Sequence, residues 1–322
     1  MPLLVLLLTF NALSADRDNG NWRLISSQGI TEKQWLRSKF SVVAILCLLL
    51  LLFIAVNGCV LNKIVFTQAL AWSDVLFFTA SLIYLFFWLS LFYFINSLRK
   101  TTTYNALVGG IAWIAVCLVI PVAVSKGAEL AVPVDNAGIS TFSRRPQNPQ
   151  IEDSKAFAQG VIRNFAATNP QYRNADVDSS KPAFMLRTYH AYHSLLHGER
   201  WPVLLRYFSD VEKRQQVTNW STVFNPASST DGMLTALADN DAPAYHQFTK
   251  QTADMHKGIQ AALYPGLFTD RSLNKDDYKN LPQFLYQRNK VPASLIGYLL
   301  LLKGLSIVLY MKGNRRLSKL SD

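Results

Sequence analysis

The stretch DRDNGNWRL, residues Asp16 to Leu24, decides the fold because it separates two apolar segments. The first apolar run covers Pro2 to Leu13, and a second begins at Phe40 after a polar, amphipathic piece. Two segments of membrane scale joined by a short charged elbow are typical of a chain that enters a compartment and leaves it again. We therefore expect residues 15–39 to form a cytosolic elbow that faces a partner.

The composition favours a membrane protein. Half of the 322 residues are hydrophobic and only 16% are charged, which is less charge than a soluble domain of this size carries. Apolar runs of about 18 or more residues predict membrane-spanning helices. Four runs qualify: Phe40–Val60, Val75–Ile95, Ala106–Val124 and Pro292–Tyr310. We expect Pro121 to kink or end the third of them, because proline lacks a backbone N–H.

The first apolar run predicts only part of a span. From Pro2 to Leu13 it has 12 residues, whereas a bilayer needs about 20. It resembles the apolar core of a signal peptide, but no basic residue precedes it, as a signal peptide requires. We expect that the natural chain begins earlier and that this one is truncated at its N-terminus.

The net charge of +11 reflects the membrane, not nucleic acid. Basic residues outnumber acidic ones in the elbow, in the turn at Arg99-Lys100 and in the tail after Tyr310. The positive-inside rule places such segments in the cytosol. No basic stripe with interleaved aromatic residues occurs, so we expect the lipid bilayer and no nucleic acid as a partner.

These assignments divide the chain into three parts. Residues 1–125 are expected to form a transmembrane bundle that includes the elbow, and residues 292–322 the last span and a basic cytosolic tail. Residues 126–291 should form a mostly helical extracytoplasmic domain, because apolar residues there recur at helical spacing. The helices predicted in it are Ile151–Thr168, Pro182–His197, Pro202–Val217, Pro243–Leu263 and Lys275–Arg288.

Two stretches resemble a known family. Residues 16–30 resemble the segment acidic-Arg-acidic-x-Gly-Thr-Leu-Arg-Leu-Leu-Leu-Ser-Gln-Pro-Val, which follows the second span of type-2 ABC exporter permeases. The likeness is strongest to a bacterial subclass with large extracytoplasmic loops, the multicopper-enzyme-maturation-type permeases. Residues 224–248 resemble a second stretch of that subclass, with Asn225-Pro226 for its x-Pro and His246-Gln247-Phe248 for its His-x-x-Phe-like run. Residues 238–241 replace its Gly-Thr-Asp.

The resemblance implies a function. Members lie in the bacterial inner membrane and have six spans, and two permease subunits pair as a homodimer or heterodimer. A short cytosolic helix of each permease docks on a separate ATPase subunit. It implies that this chain is no enzyme, binds no cofactor itself and works with ATP-Mg held by the partner. The phosphate-loop motif Gly-x4-Gly-Lys-Ser/Thr is absent from the sequence, which agrees with ATP hydrolysis in trans.

The residues of the elbow suit a docking surface on their own chemistry. Carboxylates favour the N-terminus of a helix, glycine allows a sharp turn, and the Trp and Leu side chains offer an apolar face. The residues that we expect to couple the ATPase are Asp16, Arg17, Asp18, Gly20, Trp22, Arg23, Leu24 and Gln28. For the transport path we single out Gly109 and Gly110, which allow close helix contact, and Lys303, a charge at membrane depth.

The predicted outer domain offers an alternative. His190, His193 and His197 follow at i, i+3 and i+7, so a helix places them near one face, and imidazole is a common metal ligand. His246 and His256 could join them from another helix. A metal site, pH-sensitive packing and ordinary packing all fit this pattern. The chain would then be a membrane-anchored binding or sensory module, with or without a bound metal, or a membrane metalloenzyme.

Overall fold

The structure is a computed structural model that describes residues 1–61, 72–135, 155–222, 225–269, 274–279, 281–288 and 293–318. The chain divides into two compact units. The membrane unit comprises Met1–Ala128, Val217–Asp241 and Lys290–Asp322, and the second unit comprises Glu129–Gln216 and Ala242–Asn289. Within the described residues every regular element is a helix, which confirms the predicted all-α fold.

The helices begin and end as follows. In chain order they are α1 (Pro2–Thr9), α2 (Ser14–Asp18), α3 (Trp22–Ser27), α4 (Glu32–Leu61), α5 (Trp72–Ser97), α6 (Thr102–Ile114), a π-helical turn (Ala115–Val119), α7 (Ile120–Ala131), α8 (Lys155–Thr168), a 3₁₀ turn (Pro170–Tyr172), α9 (Phe184–Thr222), α10 (Pro226–Leu237), α11 (Ala242–Phe268), α12 (Lys275–Lys279) and α13 (Ala293–Ser318).

Four of these helical segments are long and apolar enough to cross a bilayer. They are Glu32–Gly58, Trp72–Ser97, Thr102–Ala131 and Ile296–Ser318. The four predicted runs are therefore helical at every described residue, and most of the helices extend beyond the predicted ends. The helix does not stop at Pro121, because the preceding turn widens to a π-helix and α7 then continues. This is the architecture of a multi-pass membrane protein.

Helices α5 and α13 pair along much of their length. Near one end the hydroxyl of Tyr93 donates to the side-chain oxygen of Asn314 at 2.9 Å, and near the other end Leu299 shares a buried cluster with Ala80. Since low residue numbers pair with low and high with high, the two helices run in the same direction. Two spans with one further span between them in the chain must do so.

Helix α1 is too short to cross a bilayer, since eight residues extend about 12 Å. It packs in the bundle beside α5, where Asn96 donates to the carbonyl of Thr9 at 3.0 Å. The close approach of α6 to both helices leaves little room for a side chain at Gly109. A Cβ at this position would lie 2.6 Å from Leu6 Cδ1 and 3.4 Å from a ring carbon of Phe92.

Helix α10 belongs to the membrane unit, although its residues were predicted in the outer domain. Its apolar side chains Met233 and Leu237 are 1% and 3% exposed. They form a cluster with Leu76 and Ala80 of α5 and Leu299 of α13. The burial of this face against two spans explains why Val217–Asp241 departs from the predicted boundary at residue 126.

The second unit has an aromatic core. Phe165, Tyr172, Tyr264 and Phe268 stack or meet edge to face, with Phe165 and Phe268 centroids 4.7 Å apart. Arg187 is fully buried beside this core. Its Nε donates to the carbonyl of Leu267 at 2.6 Å and its Nη1 to the carbonyl of Asp176 at 3.1 Å, so it ties the end of α11 to the loop before α9.

Two helix predictions in this unit are wrong. The helices expected at residues 182–197 and 202–217 are one continuous helix, α9, with Pro202 inside it. Proline removes a single backbone donor, and buried residues on both sides of it, Ala191 and Phe208, hold the helix on its neighbours.

The helix predicted at residues 275–288 ends at Lys279. Residues 281–288 are not helical, because Pro282 disfavours a helical conformation in the residue before it. The carboxamide of Gln251 instead pairs with both backbone groups of Gln287, each at 2.8 Å.

The two glycines of α6 differ in their surroundings, so they should differ in their tolerance of a side chain. We expect Gly109→Val to lower the free energy of unfolding by about 1–3 kcal/mol, because the side chain must displace Leu6. Nothing lies within 4 Å of a Cβ at Gly110, so Gly110→Val is the matched control. Equilibrium unfolding in mixed micelles measures both. Equal losses for the two variants would contradict the close packing at Gly109.

Candidate functional site

The elbow consists of two short helices separated by glycine turns. Gly20, between α2 and α3, has φ +77°, and Gly29, between α3 and α4, has φ +75°. Residues with a side chain rarely adopt this left-handed conformation, so both changes of direction depend on glycine. The first was expected from the sequence, and the second was not.

Asp16 joins α2 to the beginning of α4. Its carboxylate accepts hydrogen bonds from Trp35 Nε1 at 2.8 Å and from Lys39 Nζ at 2.6 Å. The ammonium of Lys39 also lies 5.1 Å from the centre of the Trp35 ring. Since Trp35 and Lys39 are one helical turn apart, one carboxylate engages one face of α4.

Arg17 joins α2 to the end of α5. Its Nη1 donates to the carbonyl of Arg99 at 2.8 Å. Arg99 follows α5 in the left-handed conformation, with φ +56°, and its guanidinium forms an ion pair with Glu32. Glu32 is the first residue of α4, where a carboxylate is stabilised by the helix dipole.

Asp18 joins α2 to the beginning of α6. It accepts hydrogen bonds from Thr102 Oγ1 at 2.8 Å and from the Thr102 backbone N–H at 3.2 Å. These bonds favour the ionised form and lower the pKa of Asp18 below its usual value. Ser14 Oγ lies 2.8 Å from Thr102 Oγ1 and donates to it, because the single hydroxyl proton of Thr102 is given to Asp18. In an isolated helix the backbone N–H of the first residue, here Thr102, would have no partner.

We call Ser14, Asp16, Arg17 and Asp18 the clamp. Together they attach α2 to the ends of three spanning helices, α4, α5 and α6. The sequence predicted that these carboxylates cap or lead a helix. Asp16 does lie in the first turn of α2, and Asp18 accepts from the first backbone N–H of α6. Their side-chain partners on neighbouring helices were not predicted.

Helix α3 is exposed, and none of its residues is buried. Arg23 and Gln28 are exposed, Leu24 is 71% exposed, and Trp22 is half-buried. The eight residues predicted to act together therefore separate into two groups. Asp16, Arg17 and Asp18 form hydrogen bonds to the ends of spanning helices, and the residues after Gly20 mostly face outward.

The residues proposed for a transport path lie in different surroundings. Gly109 is buried in the contact of α6 with α1 and α5, whereas Gly110 faces open space. Lys303 is exposed on α13, with buried Leu302 beside it. The expectation of close helix contact therefore holds for Gly109 only.

The three histidines of α9 each contact aromatic rings. The ring of His190 lies 5.6 Å from that of Tyr264, and His197 stacks on Trp201 at 5.1 Å. The exposed His193 contacts Tyr189 at 4.3 Å. Within the described residues no group of three or more His, Cys, Asp or Glu side chains is arranged to hold a metal, so this geometry does not support the metal alternative.

The other two histidines differ from each other. His246 pairs with Glu212 at 2.5 Å and stacks on Phe208, so it does not join the row on α9. His256 lies close enough to affect the row. Burial lowers the pKa of both His190 and His197, and the nearby His256 lowers both further.

Sequence reasoning missed a capping box in front of α4. Thr31 Oγ1 accepts from the backbone N–H of Gln34 at 3.3 Å, and Gln34 Oε1 accepts from the backbone N–H of Thr31 at 3.0 Å. The pattern Thr-x-x-Gln before a helix is the known signal for this arrangement. It fixes where α4 begins and therefore where Trp35 and Lys39 meet Asp16.

These features define a multi-pass helical membrane protein with a clamped elbow and a helical second unit. A family model described as a domain of unknown function, DUF3526, matches residues 144–287. This is less than half of the chain, and it contains α8 to α12. No curated protein and no solved structure matches the chain.

The lowered pKa values predict how the protein responds to acid. A histidine whose pKa is depressed by folding binds its proton more readily in the unfolded chain, so the stability it supports is lost as the pH falls below about 6.5. We expect the thermal midpoint of the full chain, followed by circular dichroism, to fall between pH 7.5 and pH 5.5. The double variant His190→Gln/His197→Gln should reduce this fall, and His193→Gln, at an exposed site, should reduce it less. A midpoint that rises on acidification would contradict the assignment.

Proposed function

We propose that this chain is the membrane-spanning subunit of an ATP-binding cassette exporter in the bacterial inner membrane. Helix α3 docks on a separate ATPase subunit, and the clamp transmits the movement of that subunit to the spans. The observation that carries the proposal is the division of the elbow into a clamped half and an exposed half.

The division suits force transmission. A docking element must present side chains to its partner, and Arg23, Leu24 and Gln28 do so. It must also be attached firmly enough that displacement is not lost. Hydrogen bonds that involve an ionised group are the stronger ones in proteins, and Asp16, Arg17 and Asp18 make such bonds to three different helix ends.

The distribution of charge supports the orientation. Arg37, Lys100, Arg315 and Arg316 are exposed at the ends of spans that meet near the clamp, since Arg37 lies 5.8 Å from the Tyr310 ring of α13. The positive-inside rule then puts the clamp and α3 in the cytosol and the second unit outside. A cytosolic α3 is accessible to an ATPase that carries the ATP-Mg.

The remaining parts of the proposal follow from the resemblance of residues 16–30 to the exporter permeases. Two permease subunits enclose the path, and the spans around Gly109, Gly110 and Lys303 move when the ATPases close. The second unit receives or guides cargo. The alternative, a membrane-anchored sensory module, needs no ATPase and assigns no role to α3.

The substitution Leu24→Asp tests the docking of α3. It places a charge in the apolar centre of the proposed contact, and central contact residues commonly contribute 2 kcal/mol or more to binding. We expect recovery of a co-expressed phosphate-loop ATPase subunit to fall by about tenfold or more. Quantitative copurification in detergent measures this.

The matched control is Leu285→Asp, at a leucine of the second unit that is 81% exposed. This control should leave recovery of the ATPase unchanged. Equal recovery with Leu24→Asp, together with photocrosslinks from position 23 that reach only lipid, would exclude the docking role and favour the sensory module.

A further inference from the structure

The third span is interrupted by a π-helical turn, Ala115–Val119. Its register is set by the backbone N–H of Ile120, which donates to the carbonyl of Ala115, five residues earlier. In the same register the carbonyl of Val116 would accept from residue 121. That residue is Pro121, which has no N–H, so the turn leaves an acceptor inside the span that the helix cannot satisfy.

Asn225 satisfies this acceptor from another part of the chain. Its Nδ2 donates to the carbonyl of Val116 at 3.1 Å. Its Oδ1 accepts from the backbone N–H of Ala227 at 3.0 Å and so caps α10. Asn225 is only 2% exposed, so water does not readily replace either bond. A single carboxamide thus begins α10 and completes the π-helical turn.

Helix α10 holds Asn225 in position. Besides the burial of Met233 and Leu237 against α5 and α13, the hydroxyl of Tyr298 donates to the carbonyl of Pro226 at 3.1 Å. The donor therefore comes from an element that is itself attached to two other spans.

The part of the span beyond the turn buries few of its side chains. Of the residues in α7 only Ala128 is buried, and the π-helical turn has no buried residue. In α6, by contrast, Gly109 is seated against Leu6 and Phe92. A widened turn between a seated half and a loosely packed half is a natural point of bending, and π-helical turns and prolines are the usual sites of helix kinks.

We propose that the π-helical turn at Pro121 is a hinge in the third span and that Asn225 is the latch that holds it. Release of the bond to Val116 frees α7 to bend relative to α6, and movement of α10 is the event that releases it. The hinge rests on packing and hydrogen bonds within the membrane unit. It holds whether or not the chain partners an ATPase.

Hydrogen–deuterium exchange of the full chain in lipid nanodiscs tests the latch. Asn225→Ser keeps a capping oxygen for α10 but has no amide that reaches Val116. We expect exchange of the backbone amides of residues 115–120 to quicken by about fivefold or more, the change expected for one lost hydrogen bond. Pro121→Ala restores the missing donor, so the double variant should exchange at close to the rate of the unmodified chain.

Asn57→Ser is the matched control, because Asn57 Nδ2 also donates to a carbonyl of a spanning helix, Phe53, at 2.8 Å. It should leave residues 115–120 unchanged. Unchanged exchange in Asn225→Ser, or an equal increase in the double variant, overturns the proposal. If Asn225→Ser does not fold, Pro121→Ala alone decides: about fivefold slower exchange supports the hinge, and equal or faster exchange rejects it.

Discussion

The carboxylates of Asp16 and Asp18 impose the constraint on which the membrane unit depends. A helix that ends at the membrane surface leaves backbone groups and charged side chains that need partners. Asp18 supplies one to the start of α6, and Asp16 supplies another to Trp35 and Lys39 of α4. Through these bonds five residues of α2 set the positions of neighbouring spans, and the following helix, α3, is left free to project.

The membrane unit therefore combines rigid and adjustable parts. The clamp and the pairing of α5 with α13 are held by several hydrogen bonds and ring contacts. The π-helical turn before Pro121 has no buried residue. A push on α3 would enter the spans through the clamp and be taken up at this turn. In the proposed exporter, this division would let movement pass from the ATPase subunit to the transport path while the individual helices stay rigid.

The sequence predicted the helical class, the four spans and the elbow, because apolar length and charge at span ends are local signals. The predictions from sequence were wrong where contacts between residues far apart in the chain determine the structure. The membership of α10 in the membrane unit depends on Leu76 and Leu299, which are far away in the chain. The continuity of α9 through Pro202 depends on packing at both sides.

In the elbow, Gly20 was predictable as a turn, but the partners of Asp16 and Asp18 were not, since Thr102 is 84 residues from Asp18. The histidine row matched a metal-ligand spacing, yet aromatic contacts occupy its rings.

A disulfide between α2 and α6 tests the clamp most directly. Ser14 Oγ and Thr102 Oγ1 are 2.8 Å apart, so sulfur atoms in their place would lie next to each other. The double variant Ser14→Cys/Thr102→Cys, oxidised in native membranes and identified by mass spectrometry, should form the 14–102 bond readily, and Asp18→Ala should slow its formation. Absence of the bond, or the same rate without Asp18, would contradict the account.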